Sequence, residues 1–438
     1  MIKPQAISGF GENLPEAQII EDKFKEIIRK NYSLSGFTPI DTPVVERLDV
    51  LLAKGADDNE VYAIHRVNGE VGDDSSLGLR FDLTVPLARY VAQYEGEISF
   101  PFRRQHIARV YRGERPQKGR YREFYQADVD IIGNGDLPNF ADVEVISTIY
   151  NSLRELDFGD FVINMNNKKF LSGFLQTLEI ENIAGTISII DKKDKVRYDK
   201  LKEMFFSVGL NEVQIEKIVE FIRFSEEKTN TEILTFYSQF SNELLKTGID
   251  ELKYLYNNLI NLGVEEKYLK INTSISRGLN YYTGTVFETF IVGAENLGSV
   301  SSGGRYDNLA SNFTKNNYPG VGGSIGLSRL IAVLNSIGKI ELDRKTVSKA
   351  MLVNMGENTL KNNLSILNIL RNAGVSCEMY LDSETKIQKQ LKYANNKKIQ
   401  YAIICGLDEL EKGVLQLKNL DSGEQLEIKQ SEILNYIK

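Results

Sequence analysis

From Phe124 to Ile131 the chain alternates between two kinds of residue. Phe124, Gln126, Asp128 and Asp130 fall on one side of an extended strand, and Tyr125, Ala127, Val129 and Ile131 on the other. Carboxylates are uncommon in strands, so a polar row opposite an apolar row predicts a solvated cleft laid over a core. A short loop from Arg115 to Arg120, rich in Pro, Gly and positive charge, joins this strand to an earlier strand-like run. The whole reads as a β-hairpin, with Arg112 and Glu114 on one face of its first arm.

Elsewhere the pattern divides the chain. Asn13 followed by Pro15 predicts a helix start; Ile19, Ile20, Phe24, Ile27 and Ile28 recur behind it at helical spacing, and Gly36 ends it. Thr38 to Glu46 reads as a strand that Pro39 and Pro43 confine to an edge or an interface. Leu79 to Pro86 reads as another, with Asp82 and Thr84 on one face. From about Lys168 to Phe240 the pattern is helical and charged, as in the i, i+3, i+4, i+7 spacing of Ile215, Ile218, Val219 and Ile222. Strands and glycine turns resume near Lys270 and run to Gly326, and a helix follows through Ile337. Gly338 to Lys349 is a charged, aperiodic linker. Beyond it come a strand at Ala350 to Val353, a helix marked by Leu360, Leu364 and Leu367, and a strand through Val375, Cys377, Met379 and Leu381. A lysine-rich helix and a buried strand at Tyr401 to Gly406 complete an α/β unit with a parallel or mixed sheet of its own.

At 438 residues the chain is too long for one typical core, so two or three domains are expected. No apolar run is long enough to cross a bilayer, and the N-terminus lacks a secretory pattern. Cys377 and Cys405 sit in apolar runs as reduced thiols, which fits a cytoplasmic protein. His65 and His106 have no second ligand type at metal spacing, so no zinc site is expected. The net charge of −7 speaks to average field and solubility, whereas nucleic-acid binding depends on where positive charge gathers. Arg103, Arg104, Arg109, Arg112, Arg115, Lys118, Arg120 and Arg122 crowd the hairpin, and Lys386, Lys389, Lys392, Lys397 and Lys398 cluster near the C-terminus.

The run Tyr111-Arg-Gly-Glu-Arg-Pro-Gln-Lys-Gly-Arg-Tyr-Arg-Glu-Phe124 resembles the motif 2 hairpin of class II aminoacyl-tRNA synthetases, in the form found in histidyl-tRNA synthetases. Ser276-Arg-Gly-Leu-Asn-Tyr-Tyr-Thr-Gly284 and Ser302-Gly-Gly-Arg-Tyr-Asp307 resemble that family's histidine-specific signatures, and the likeness covers essentially the whole chain. It implies an α/β (α+β) fold: an antiparallel catalytic core from residues 1–167 and 251–337, a helical insertion at 168–250, and an α/β anticodon-binding domain at 348–438. The helix and strand from Asn13 to Glu46 resemble motif 1, which implies a homodimer. The implied partners are histidine, ATP with magnesium, and histidine tRNA, with no tightly bound cofactor.

Activating an amino acid sets a carboxylate against the α-phosphate of ATP, so the chemistry needs fixed positive charge more than a base. Arginine suits it, being always charged and able to bond two oxygens at once. The resemblance implies that Arg112 grips the α-phosphate and the substrate carboxylate. It sets Arg277 on the opposite side of that phosphate and Arg329, in Gly320-Val-Gly-Gly-Ser-Ile-Gly-Leu-Ser-Arg329, at the terminal phosphates. Glu114 would bond the adenine amino group and Phe124 stack on the ring. Asp82, Thr84 and Gln126 would clamp the ammonium group, Asp130 and Tyr282 read the imidazole, and Tyr281 with Gly304 to Tyr306 close the pocket. Gln117 would lie near the acceptor end of the tRNA. The glycines do not make a dinucleotide fingerprint, because Ile325 stands at the last position of G-x-G-x-x-G. Asn280 and Lys168 depart from the Asp and Arg of many relatives. The alternatives are a non-catalytic relative, the regulatory subunit of ATP phosphoribosyltransferase, and an RNA-sensing module. The first typically lacks the catalytic arginines and the C-terminal domain; the second needs partner domains this chain does not show.

Overall fold

A computed structural model describes every residue except 54–60, 68–76, 116–118, 194–195, 277–281, 308–309 and 438. The chain divides into two compact units, Met1–Gly11 with Phe24–Ile340, and Glu12–Lys23 with Glu341–Lys438. In chain order the elements begin with α1 (Pro15–Leu34), β1 (Thr38–Pro39), β2 (Val45–Arg47), α2 (Leu48–Leu51), β3 (Ala63–Ile64), β4 (Leu77–Leu79) and α3 (Thr84–Gln93). Then come β5 (Phe102–Tyr111), β6 (Glu123–Ile132), α4 (Phe140–Glu155) and β7 (Phe161–Asn167). A helical stretch follows: α5 (Lys168–Thr177), α6 (Ile183–Ile190), α7 (Tyr198–Ser207), α8 (Glu212–Glu227), α9 (Asn230–Tyr237) and α10 (Glu243–Asn261). The first unit closes with β8 (Leu269–Ile271), β9 (Tyr282–Ile291), β10 (Ser301–Tyr306), β11 (Gly320–Gly326) and α11 (Leu327–Ser336).

Among the described residues the main sheet has eight strands in the order β1-β5-β6-β11-β10-β9-β7-β8. Its interior pairs are antiparallel, and the outermost pair at each edge, β1 with β5 and β7 with β8, is parallel. The expected alternation on β6 holds: Ala127, Val129 and Ile131 are buried on the core side, where α4 packs with Val145, Ile146 and Ile149. Register then builds rows across the opposite face. His106 of β5 lies beside Asp128 of β6 and Ser324 of β11; one step along, Arg104 lies beside Asp130 and Gly322.

Four expectations need correction. Thr38 to Glu46 is not one strand: β1 pairs with β5 in the main sheet, while β2 pairs with β4 in a separate three-stranded sheet. Pro43 lies in the break, as suits a residue with no N–H to donate. Leu79 to Pro86 is not a strand either. β4 stops at Leu79, and the Asp82 carboxylate accepts the Val85 N–H (3.0 Å) at the start of α3. Pro86 sits in the first turn of that helix, where a missing donor costs little. Arg112 and Glu114 lie in the loop, since β5 ends at Tyr111. Finally, the helical stretch runs past residue 250, because Asn242 caps a single amphipathic helix that reaches Asn261.

The second unit holds a sheet in the order β13-β12-β14-β15-β16, from β12 (Ala350–Leu352), α12 (Glu357–Asn372), β13 (Cys377–Met379), α13 (Ile387–Asn396), β14 (Tyr401–Ile404), α14 (Leu407–Lys412), β15 (Val414–Asn419) and β16 (Gln425–Lys429). β12 runs parallel to β13 and β14, and the rest is antiparallel, so the sheet is mixed as expected. Leu352, Leu370, Ile403 and Leu415 fill one side, and Met351, Val353, Ala394 and Ile399 the other. β13 is shorter than the Val375–Leu381 alternation suggested, and Leu381 is fully outside at 94% exposure. Both cysteines are free and buried, and burial pushes the Cys377 thiol up to about 12. Lys386 stands at the N-cap of α13 rather than within it. The β15–β16 hairpin was not anticipated; Asn419 accepts the N–H groups of Asp421 and Ser422 to form its turn.

Candidate active site

Two cavities open on the polar face of the main sheet and share a wall. One, of about 230 Å³, is basic: Arg112, Arg120 and Arg329 line it with Glu114 and Phe124. The other, of about 280 Å³, is acidic: Asp82, Asp128 and Asp130 line it with Thr84, Tyr282 and Tyr306. Arg112, Gln126, Ser302 and Ser324 belong to both.

Arg112 is held at this junction from two sides. Its Nε donates to the Phe81 carbonyl (3.0 Å), and its guanidinium lies 5.2 Å from the centre of the Phe124 ring. Glu114 sits between two cations, 3.8 Å from Arg112 and 3.5 Å from Arg120. Arg122 fastens the loop by donating to the Glu114 carbonyl (3.1 Å). Arg329, in α11, donates from Nη2 to the Leu297 carbonyl (2.7 Å). A half-buried guanidinium cluster with one carboxylate leaves excess positive charge, which suits a polyanion.

The acidic cavity is deeper. Asp82, Asp128 and Asp130 are 6%, 3% and 3% exposed, so the solvated row anticipated on β6 is buried instead. Beneath them Arg104, wholly buried, sends Nη2 to Asp130 (2.8 Å) and lies 3.7 Å from Asp128. The Tyr306 hydroxyl donates to the other Asp130 oxygen (3.1 Å). Burial raises the carboxyls of Asp82 and Asp130 against the pull of these donors and of Arg104. It pushes Asp128 up to about 7, with Arg104 opposing and Asp130 adding to the rise. The Gln126 amide donates to Ser324 (2.9 Å) and faces its oxygen the other way.

The glycines of β11 make room for this arrangement. A Cβ on Gly322 would stand 1.9 Å from an Asp130 carboxylate oxygen, and one on Gly320 would stand 2.3 Å from the Tyr306 ring. Close approach explains Gly320 and Gly322, whereas Gly326, in the lining of the basic cavity, meets nothing nearer than 3.6 Å.

Of the residues anticipated from sequence, Asp82, Thr84, Arg112, Glu114, Phe124, Gln126, Asp130, Tyr282, Tyr306 and Arg329 come together in these two cavities. Gln117, Arg277 and Tyr281 lie outside the described residues. Within Gly304 to Tyr306, Arg305 does not close the pocket. It turns away to Asp142 of α4 (Nε to Oδ2, 3.0 Å) and to the Leu137 carbonyl (2.8 Å), because odd and even positions of β10 face opposite sides. Arg120 and Asp128 were given no role from sequence, although the motif run contained the first and the β6 alternation had already placed the second.

Comparison with known proteins decides what the pair of cavities belongs to. The family model for histidyl-tRNA synthetase matches residues 9–330, and one for an anticodon binding domain matches 349–438. Curated relatives named histidine–tRNA ligase include those of Finegoldia magna, 41% identical over 440 residues with all of both chains covered, and Clostridium tetani, 42% identical over 443 residues covering 100% and 99%. The chain belongs to the histidyl-tRNA synthetase family. A solved histidyl-tRNA synthetase from Nostoc sp. PCC 7120 superposes with a TM-score of 0.92 at 36% identity, covering both chains fully. An ATP phosphoribosyltransferase regulatory subunit/histidyl-tRNA synthetase from Bacillus halodurans C shares the fold, with a TM-score of 0.75 at 22% identity. Every residue from Asp82 to Arg329 that lines the two cavities lies within the histidyl-tRNA synthetase match.

Proposed function

We propose that this chain is a histidine–tRNA ligase that joins histidine to the AMP part of ATP in the first step, releasing pyrophosphate, and transfers it to tRNA in the second. The observation that carries the reading is Arg112, a guanidinium common to an acidic, donor-seeking cavity and a basic, phosphate-seeking one. Histidine in the first and ATP in the second would bring carboxylate and α-phosphate to that side chain. A carboxylate oxygen attacks the α-phosphorus, the bond to the bridging oxygen breaks, and pyrophosphate leaves. Charge that builds on the non-bridging oxygens falls to Arg112, with Arg277 on the opposite side. Phe124 stacks on the adenine, Glu114 accepts from its amino group, and Arg329 meets the terminal phosphates, with Arg120 beside them. Magnesium arrives with ATP as part of that substrate.

Asp82, Thr84 and Gln126 take the ammonium group, Asp130 and Tyr282 read the ring, and Tyr281 closes the pocket. In the second step a ribose hydroxyl at the 3′ end of histidine tRNA attacks the activated carbonyl, and AMP leaves. Gln117 meets the acceptor end. Residues 1–167 and the strands after α10 through residue 337 form the catalytic part, the helices from residue 168 through α10 the insertion, and 348–438 the anticodon-binding domain. The active form is a cytoplasmic homodimer through the segment from Asn13 to Glu46; light scattering that showed an active monomer would overturn that part.

Arg112 and Arg329 in the cavity, with the match to an anticodon-binding model at 349–438, favour an enzyme over a ligand-binding subunit. Aminoacylation tests the reading: the chain charges histidine tRNA with histidine and releases AMP. Failure to charge it with ATP, magnesium and histidine present would refute the assignment.

A further inference from the structure

Asp128 is the carboxylate of the acidic cavity for which the proposed chemistry has no use. Its side chain is 3% exposed, and its Oδ1 has no hydrogen-bond partner among the described residues. Neighbouring Asp130 differs, since Arg104 and the Tyr306 hydroxyl each already give one of its oxygens a donor. A buried carboxylate oxygen left without a donor is costly, and such a group is retained where a ligand supplies what the protein withholds.

Position indicates which part of the ligand does so. Gln126 belongs to both cavities, whereas Asp128 belongs to the acidic one alone, one strand step, about 7 Å, farther from the basic cavity. The carboxylate and ammonium of an amino acid stay at its reacting end, so only its side chain reaches that depth. Charge points the same way. Among the described residues Arg104 is the cation within ion-pair distance of Asp128, and it is shared with Asp130. His106, beside Asp128 in the register, adds no charge near neutral pH, because burial, then Arg104 and Arg80, hold its imidazole down at about 4. Asp82 adds a further carboxylate, and the Ser324 hydroxyl from β11 offsets the group only in part by hydrogen bonding, since Oδ1 keeps no donor among the described residues. Carboxylates therefore outnumber cations at the floor, which favours a ligand donor at Asp128, even though Arg104 Nε and Nη1 also lack partners among the described residues.

We propose that Asp128 is a substrate-binding residue of this site, the acceptor for a ring N–H of the bound histidine. The inference rests on the histidine reading and deepens it. A charge-assisted hydrogen bond to a desolvated carboxylate is worth roughly 10- to 100-fold in binding.

The test compares histidine with thiazolylalanine, whose five-membered ring has no N–H, by calorimetric binding to the full chain and to Asp128→Ala and Asp128→Asn. Both variants are expected to weaken histidine by at least about tenfold. Thiazolylalanine should change by less than about twofold, and the KM for ATP should hold. A folded variant that bound histidine as the unaltered chain does would overturn the proposal. So would equal losses for both ligands, which would mean a structural or ammonium-binding role. If Asp128→Ala does not fold, Asp128→Asn, of the same shape, carries the comparison. If the unaltered chain does not bind histidine, the proposed function falls first, and that result is distinct from either variant's.

Discussion

β6 and β12 are both central strands buried on two faces, yet they bury opposite things. In β12 the run Ala350 to Val353 is at most 1% exposed and apolar throughout. In β6 the core side is equally apolar, but the other side carries Asp128 and Asp130, each 3% exposed, over a buried arginine. Burying charge costs free energy unless donors and cations offset it, and Asp128 is only partly offset. The C-terminal strand obeys the rules that make a core, while the catalytic strand sets them aside on one face. That contrast separates what holds this chain together from what it does.

The sharpest way to break the contrast is at the junction. Arg112→Ala should lower single-turnover adenylate formation by roughly 10²–10³ while the melting temperature barely moves. Near-full activity would mean that the shared guanidinium is not the phosphate clamp. The mirror experiment lies in the second unit, where Leu370 is wholly buried in the apolar cluster. Leu370→Ala should cost about 2–5 kcal/mol of stability, read by denaturant unfolding, and leave pyrophosphate exchange within about twofold below the transition. Gly322→Ala lies between these extremes. Its methyl would overlap the Asp130 carboxylate, so roughly 1–3 kcal/mol of strain should appear together with a KM for histidine raised at least about tenfold. Strain without the KM change would detach Asp130 from histidine binding.

The smallest effect has a definite sign in pH. The Asp128 carboxyl is pushed up to about 7 in the folded chain, from the ordinary 3.8. Between those values the folded state binds more protons than the unfolded, so this group's contribution to stability falls as pH rises from about 4 to 7. Asp128→Asn removes the loss. In the absence of substrates its melting temperature should match the unaltered chain at pH 4 and exceed it at pH 8. A variant less stable at pH 8 would make Asp128 a structural partner of Arg104 rather than a group held for a ligand.

Much of this was legible in residue order. The period-two alternation from Phe124 to Ile131 placed a polar row over a core, because neighbouring strands on both sides leave a strand no other way to face. The family resemblance named ten of the cavity-lining residues. Asp82 and Thr84 were placed on the wrong element, since Leu79 to Pro86 reads as apolar alternation, and only the Asp82 bond to Val85 N–H turns it into a helix start. From sequence Arg104 is only one of the arginines that crowd the hairpin, with no role of its own. Its burial comes from a cross-strand register with Asp130 that no local pattern encodes. The same is true of Gly322, whose purpose lies in a carboxylate about 190 residues earlier in the chain.

ATP–pyrophosphate exchange, run with each of the twenty amino acids in turn, tests the central claim most directly. Two cavities that meet at Arg112 predict exchange that depends on histidine alone and disappears in Arg112→Ala. Exchange with another amino acid, or none with histidine while ATP binds, would contradict it.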